Sequence, residues 1–92
     1  MGQLDGRWAL VTGSSRGIGQ QIAVGLAKHG CRVIVHGRQL PNTVETLRLV
    51  QEVGVESFAV SGDLGSAAGI AEIISGVNER NVPVDILYNN AA

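Results

Sequence analysis

Ninety-two residues with a formal charge of −1 limit this chain to one small domain and exclude the basic patch that nucleic acid or an anionic membrane surface would require. At 45% hydrophobic and 16% charged the composition is globular rather than disordered, and with Trp8, Phe58 and Tyr88 the only aromatics, aliphatic side chains must build the core. The single cysteine, Cys31, excludes an intramolecular disulfide and a multi-cysteine zinc site, and is expected to be a buried structural thiol at a helix–strand junction.

The first eight residues, MGQLDGRW, lack the basic and apolar regions of a signal peptide. Met1-Gly2 is not followed by the Ser or Thr of a myristoylation signal. No apolar run is long enough to cross a membrane, so a soluble, cytoplasmic protein is expected.

Trp8–Val11 is a short apolar run closed by Thr12-Gly13, which suits a buried strand. Ile18, Ile22 and Leu26 then follow at spacings of four, one face of a predicted helix that Gly30 stops. Val33-Ile34-Val35 is a second β-branched run, ended by His36-Gly37-Arg38. Asn42 with Glu45 resembles a capping box before a second helix, whose apolar face is Val44, Leu47 and Val50 and whose end is Gly54. Ser57–Val60 is a third strand. After it, Ser66 is a predicted N-cap for a helix striped by Ile70, Ile73, Ile74 and Val77. Pro83 opens a fourth run, Val84–Tyr88, before Asn89-Asn90-Ala91-Ala92.

This βαβαβαβ alternation, with strands that are continuously apolar rather than alternating, predicts an α/β fold. It is a Rossmann-type, doubly wound parallel sheet in strand order 3-2-1-4. Ligands in such sheets bind outside the carboxyl ends of the strands, where the strand order reverses.

The stretch VTGSSRGIG, Val11–Gly19, falls at that reversal. Glycine costs about 0.5–1 kcal/mol relative to alanine in an element interior. Three of them in so short a span therefore mark either a bare turn or a close approach by something else. A helix N-terminus at this place offers unpaired N–H groups and a partial positive charge to a pyrophosphate. Gly13 would permit the turn, Gly17 would let phosphates reach the backbone, and Gly19 would let the helix pack on the sheet. The spacing G-x-x-x-G-x-G is neither the commonest dinucleotide fingerprint nor a P-loop.

Thr12–Gly19 (TGSSRGIG), Asp63-Leu64 after the third strand and Asn89–Ala91 (NNA) after the fourth together resemble the short-chain dehydrogenase/reductase family. The resemblance covers the whole chain, in order and at family-like spacing, and identifies residues 1–92 with the N-terminal half of a dinucleotide-binding Rossmann domain. It implies that Gly13, Ser14, Ser15, Arg16, Gly17, Ile18 and Gly19 surround the phosphates and ribose of a nicotinamide cofactor. Asp63 would accept from the adenine amino group, with the Leu64 backbone on the ring; the alternative is that Asp63 is only a turn residue. Asn90 and Ala91 would lie along the cofactor near the nicotinamide ribose, and Asn89 would tie neighbouring loops together. The family has glycine where this chain has Ala92.

NAD sites of this type end the second strand with an acid that holds the adenosine ribose. That position is Gly37, and Arg38 follows it. Arg38 and Arg16 facing one ribose suit a 2′-phosphate, so NADP is the expected cofactor. His36 could add to that pocket, but is expected as a surface histidine at the end of its strand, and His29 is expected to meet only the dipole at a helix end.

The family's catalytic tyrosine and lysine, with their assisting serine and asparagine, belong after the Asn89–Ala91 motif. Tyr88 does not match them, because the residue four positions on is Ala92 rather than lysine. No catalytic residue is assigned, and no metal site. Two readings remain. One is the cofactor-binding part of an oxidoreductase acting on a small carbonyl or alcohol, whose parent is a homo-oligomer. The other is a truncated, non-catalytic nucleotide-binding module. In either case the isolated chain is expected to be marginally stable, because its fourth strand is an apolar edge.

Overall fold

Short strands that are apolar throughout must be covered on both faces, and the order of helices and strands decides which helix covers which face. A computed structural model of the chain describes residues 4–90. Met1, Gly2, Ala91 and Ala92, on which some of the sequence readings fall, lie outside the described residues. The strands are β1 (Trp8–Thr12), β2 (Arg32–Gly37), β3 (Ser57–Ser61) and β4 (Ile86–Asn89). They form one parallel sheet in the order β3-β2-β1-β4, as expected. Helix α1 (Gly17–Lys28) follows β1 and α2 (Val44–Val53) follows β2 after a 3₁₀ turn at Leu40–Thr43, while α3 (Ala67–Glu79) follows β3.

Alternate residues of the central strands point to opposite faces. Ala9, Val11, Val33 and Val35 meet Ala23 and Ala27 of α1 and Val50 of α2. Trp8, Leu10, Ile34, Phe58 and Val60 meet Ile73 and Val77 of α3 on the other side. The sheet is therefore doubly wound, and its two ends differ in cover. The central strand β1 is wholly buried, whereas Leu87 and Tyr88 on the edge strand β4 are 63% and 46% exposed.

The helices sit with a rotation that their apolar stripes did not reveal. In α1 the buried residues are Gly19, Ala23 and Ala27, while Ile18 stands in solvent at 69% exposure and Ile22 and Leu26 pack only partly. The cause is a close approach: a Cβ on Gly19 would lie 2.2 Å from the Gly13 carbonyl oxygen. That contact turns the small-residue face of α1, rather than its bulky stripe, toward the sheet. In α2, Val50 is buried and Leu47 partly so, but Val44 is exposed. In α3, Ile73 and Val77 are buried and Ile70 and Ile74 are exposed.

Of the two predicted N-caps one is formed. Ser66 Oγ accepts from the Gly69 N–H at 2.9 Å. Asn42 and Glu45 do not make a capping box, because the 3₁₀ turn already supplies a preceding helical turn and makes Thr43 the residue before α2. Glu45 instead pairs with Arg48, whose hydrogen bond holds the carboxyl below its ordinary value. The fourth strand also starts later than its apolar run. Asp85 stands just before it, and its carboxylate accepts from the Trp8 N–H at 2.9 Å.

Cys31 lies between Gly30, which has a left-handed φ of 94°, and the first residue of β2. It is fully buried, and burial pushes its thiol above the ordinary value. The thiolate is the reactive form. Cys31 is therefore expected to resist thiol reagents in the folded chain and to label at a rate that follows unfolding in urea. Rapid stoichiometric labelling without denaturant would overturn this.

Candidate functional site

The site is assembled at the carboxyl ends of all four strands. Beyond β1, Gly13 takes φ +65° and Gly17 takes φ +61°, so the chain reverses twice before α1 begins. L side chains adopt that region reluctantly, and glycine adopts it freely. Space is open around the missing Cβ of Gly17. The N-cap of α1 is Arg16, which gives no side-chain cap, and the first turn holds no acid. The early N–H groups of α1 thus keep their donors and their positive end for a ligand.

Ser14 does not join that surface. It is fully buried, its N–H donates to the His36 carbonyl at 3.0 Å, and its Oγ accepts from the His36 N–H at 2.9 Å. The hydroxyl stitches the glycine turn to the end of β2. Gly19 also stands behind the turn. Its missing Cβ makes room for the Gly13 carbonyl and for Asn90 Nδ2, 2.6 Å from where a Cβ would be.

From β4, Asn90 donates its side-chain Nδ2 to the Gly13 carbonyl at 3.2 Å, and its N–H to Thr12 Oγ1 at 3.1 Å. The Thr12 hydroxyl in turn donates to Asn89 Oδ1 at 3.1 Å. Both asparagines therefore tie β4 to the end of β1, and Asn90 also reaches the cleft wall. From β3, the Asp63 carboxylate accepts the Gly65 N–H at 2.8 Å and pairs with Arg38 at 3.4 Å. Asp63 is thus a turn residue that also faces the cleft. Its pair with Arg38 is largely exposed, the class of ion pair that contributes about 0–1 kcal/mol, and is easily exchanged for a stronger anion.

Together these segments enclose a cleft of about 640 Å³, whose wall includes Ser15, Arg16, Gly17, Arg38, Asp63 and Leu64. A second hollow of about 430 Å³ is lined by Ser15, Arg16, Arg38 and Asn42. Gly13 and Asn90 complete the expected residues on the main wall. Ser14 and Gly19 lie behind it, Ile18 is in solvent, and Ala91 is outside the described residues.

His36 contradicts its sequence reading. It is 2% exposed rather than at the surface, and its ring joins two turns. The Gly13 N–H donates to Nδ1 at 2.9 Å, and Nε2 lies 2.9 Å from the Gly62 carbonyl. Sequence reasoning also passed over Asn42 as a lining residue. The signal for His36 was its register: it shares a strand face with the fully buried Ile34.

The backbone at Gly37 is closely packed. A Cβ there would lie 3.0 Å from the Thr43 methyl and 3.4 Å from Ser15 Cβ.

The family model for short chain dehydrogenase matches residues 7–92. The chain belongs to this family. Among its curated relatives is the rhamnolipids biosynthesis 3-oxoacyl-(acyl-carrier-protein) reductase of Pseudomonas aeruginosa. It is 42% identical over 88 residues, which are 96% of this chain and 34% of that protein. The short-chain dehydrogenase/reductase homolog YusS of Bacillus subtilis is 35% identical over 85 residues, 91% of this chain and 78% of that protein. Among solved structures, the 3-oxoacyl (acyl-carrier-protein) reductase of Agrobacterium tumefaciens, with NADP bound, superposes with a TM-score of 0.86 at 44% identity. That match covers 97% of this chain and 34% of the other. The chain thus spans about a third of the length of the two reductases.

Within the family frame, the glycine turn, the Asp63-Leu64 turn and the Asn89–Asn90 segment are one site built from the ends of β1, β3 and β4. Among the described residues no helix is long and apolar enough to cross a membrane, and no group of three or more His, Cys, Asp or Glu side chains is placed to hold a metal.

Proposed function

We propose that this chain is the cofactor-holding part of an NADP-dependent oxidoreductase that moves hydride between the nicotinamide and a carbonyl or alcohol. The observation that carries the reading is the hollow where Arg16 and Arg38 converge beside a glycine at the end of β2. Two guanidinium groups there, with Ser15 and Asn42 beside them and no acid on Gly37, suit a ribose 2′-phosphate and lack the carboxylate that holds a free 2′-hydroxyl. The uncapped first turn of α1 suits the pyrophosphate. NADPH supplies the hydride when bound; the residues in hand bind and orient it. The Agrobacterium relative with NADP bound supports the cofactor, and the names of both reductase relatives support a carbonyl substrate.

Titration of the chain with both reduced cofactors tests this. NADPH is expected to bind at least about a hundredfold more tightly than NADH, the scale of at least two added charge-assisted hydrogen bonds. Tighter NADH would overturn the NADP assignment.

A second reading, a nucleotide-binding module without chemistry, is favoured by YusS, a relative for which the match already covers 78% of the length. The coding sequence after Ala92 separates the two. A Tyr-x-x-x-Lys some tens of residues on supports the enzyme, and a stop codon supports the module.

A further inference from the structure

We infer that Asp63 is a specificity-determining residue that acts through Arg38: its carboxylate competes with the 2′-phosphate for one guanidinium and so narrows the preference for NADPH over NADH. The inference rests on the reading that Arg38 meets a 2′-phosphate, and it adds an opposing group which that reading does not contain.

The opposition is a direct contact. Arg38 Nη2 lies 3.4 Å from Asp63 Oδ2. A guanidinium grips an oxyanion with two parallel N–H groups, either from Nη1 and Nη2 or from Nε and Nη2. Nη2 belongs to both grips, so a carboxylate on it takes a hydrogen from one of them. The same carboxylate offsets part of the positive charge that draws a phosphate in. Arg38 borders both the main cleft and the smaller hollow with Arg16 and Asn42, and Asp63 borders the main cleft. To serve a phosphate in the smaller hollow, Arg38 must leave Asp63 or divide its fork between two anions.

The acid is the fixed member of the pair. Asp63 Oδ1 accepts the Gly65 N–H at 2.8 Å, and the Asp63 carbonyl accepts the Ser66 N–H at 3.2 Å just before α3. Both bonds hold the turn after β3 without help from Arg38. The Arg38 side chain is 77% exposed, and Asp63 is its one side-chain partner among the described residues. The guanidinium is therefore the group that moves when a stronger anion arrives. An exposed pair of this class is worth up to about a fivefold change in an equilibrium constant. That bounds how far Asp63 can bias the cofactor choice.

Asp63→Asn removes the charge, keeps an oxygen for the Gly65 N–H and sets an amide NH₂ against Arg38, which releases the guanidinium. Titration of NADPH and NADH into wild type and variant at low salt reads the ratio of the two affinities. Whatever Asp63 contributes to the part of the nucleotide that both cofactors share cancels in that ratio. The NADPH-to-NADH ratio of the variant should exceed that of wild type by about two- to fivefold. The gain should shrink in about 0.5 M salt, where exposed charges are screened. It should be absent when Arg38 is already alanine, because the competition then has no object.

An unchanged ratio would overturn the inference. So would a lowered one, since Asp63 would then be orienting Arg38 toward the phosphate. An equal gain in the Arg38→Ala background would overturn it as well, because the carboxylate would be acting on the phosphate directly. Asp63→Ser, whose hydroxyl also accepts from the N–H two residues on, repeats the comparison where the asparagine variant does not fold. A wild type that binds NADH more tightly than NADPH would refute the NADP reading, and this inference with it. A wild type that prefers NADPH by a ratio indifferent to Asp63 would refute this inference alone.

Discussion

Replacing Arg38 with alanine is expected to weaken NADPH binding by about 2–3 kcal/mol, the loss of a charge-assisted hydrogen bond, and to leave NADH binding nearly unchanged. Arg38 is free to serve in this way. Among the described residues its one side-chain partner is the exposed Asp63 carboxylate at 3.4 Å, a weak pair for a dianionic phosphate to compete with. The alanine variant also leaves Asp63 with its Gly65 N–H bond, so the turn after β3 keeps its shape. Titration of both cofactors against wild type and variant decides the matter. Equal losses for the two would mean that Arg38 supports the adenine side or the fold rather than the 2′-phosphate.

Gly19→Ala is expected to cost roughly 3 kcal/mol or more of folding stability, at the upper end of what overpacking usually costs. A methyl there would lie 2.2 Å from the Gly13 carbonyl oxygen and 2.6 Å from Asn90 Nδ2. The first of these is backbone and cannot rotate away. Since a domain of this size is stable by only about 5–15 kcal/mol, the loss is a large share of the total. Gly25→Ala, in the same helix, serves as the control. Nothing lies within 4 Å of its missing Cβ, and its φ is not left-handed. That substitution should stabilise the chain by about 0.5–1 kcal/mol through helix propensity. Urea midpoints measured side by side test the pair. A Gly19→Ala variant as stable as wild type would mean that α1 does not approach the glycine turn this closely. The Gly19 variant should also bind nucleotide poorly, because relieving the clash displaces Gly13 or Asn90.

The order of the strands and the winding of the sheet were determined by the amino-acid sequence alone. Continuous β-branched runs separated by helical stripes admit a parallel sheet covered on both faces, and the glycine cluster after the first run marks its point of reversal. These are local signals, because strand, helix and turn each depend on residues near in sequence. The side-chain roles were not local. The rotation of α1 was set by the contact of Gly19 with Gly13 and not by Ile18. The 3₁₀ turn displaced the cap that Asn42 and Glu45 spelled. Ser14 sits inside the glycine motif, yet its hydroxyl is consumed by the backbone of His36, 22 residues away in sequence. His36 looked like a surface strand end because its two partners, Gly13 and Gly62, lie 23 and 26 residues from it. Only parallel pairing of β2 with β1 and β3 brings both to its ring, since burying an imidazole requires partners that no neighbouring residue supplies.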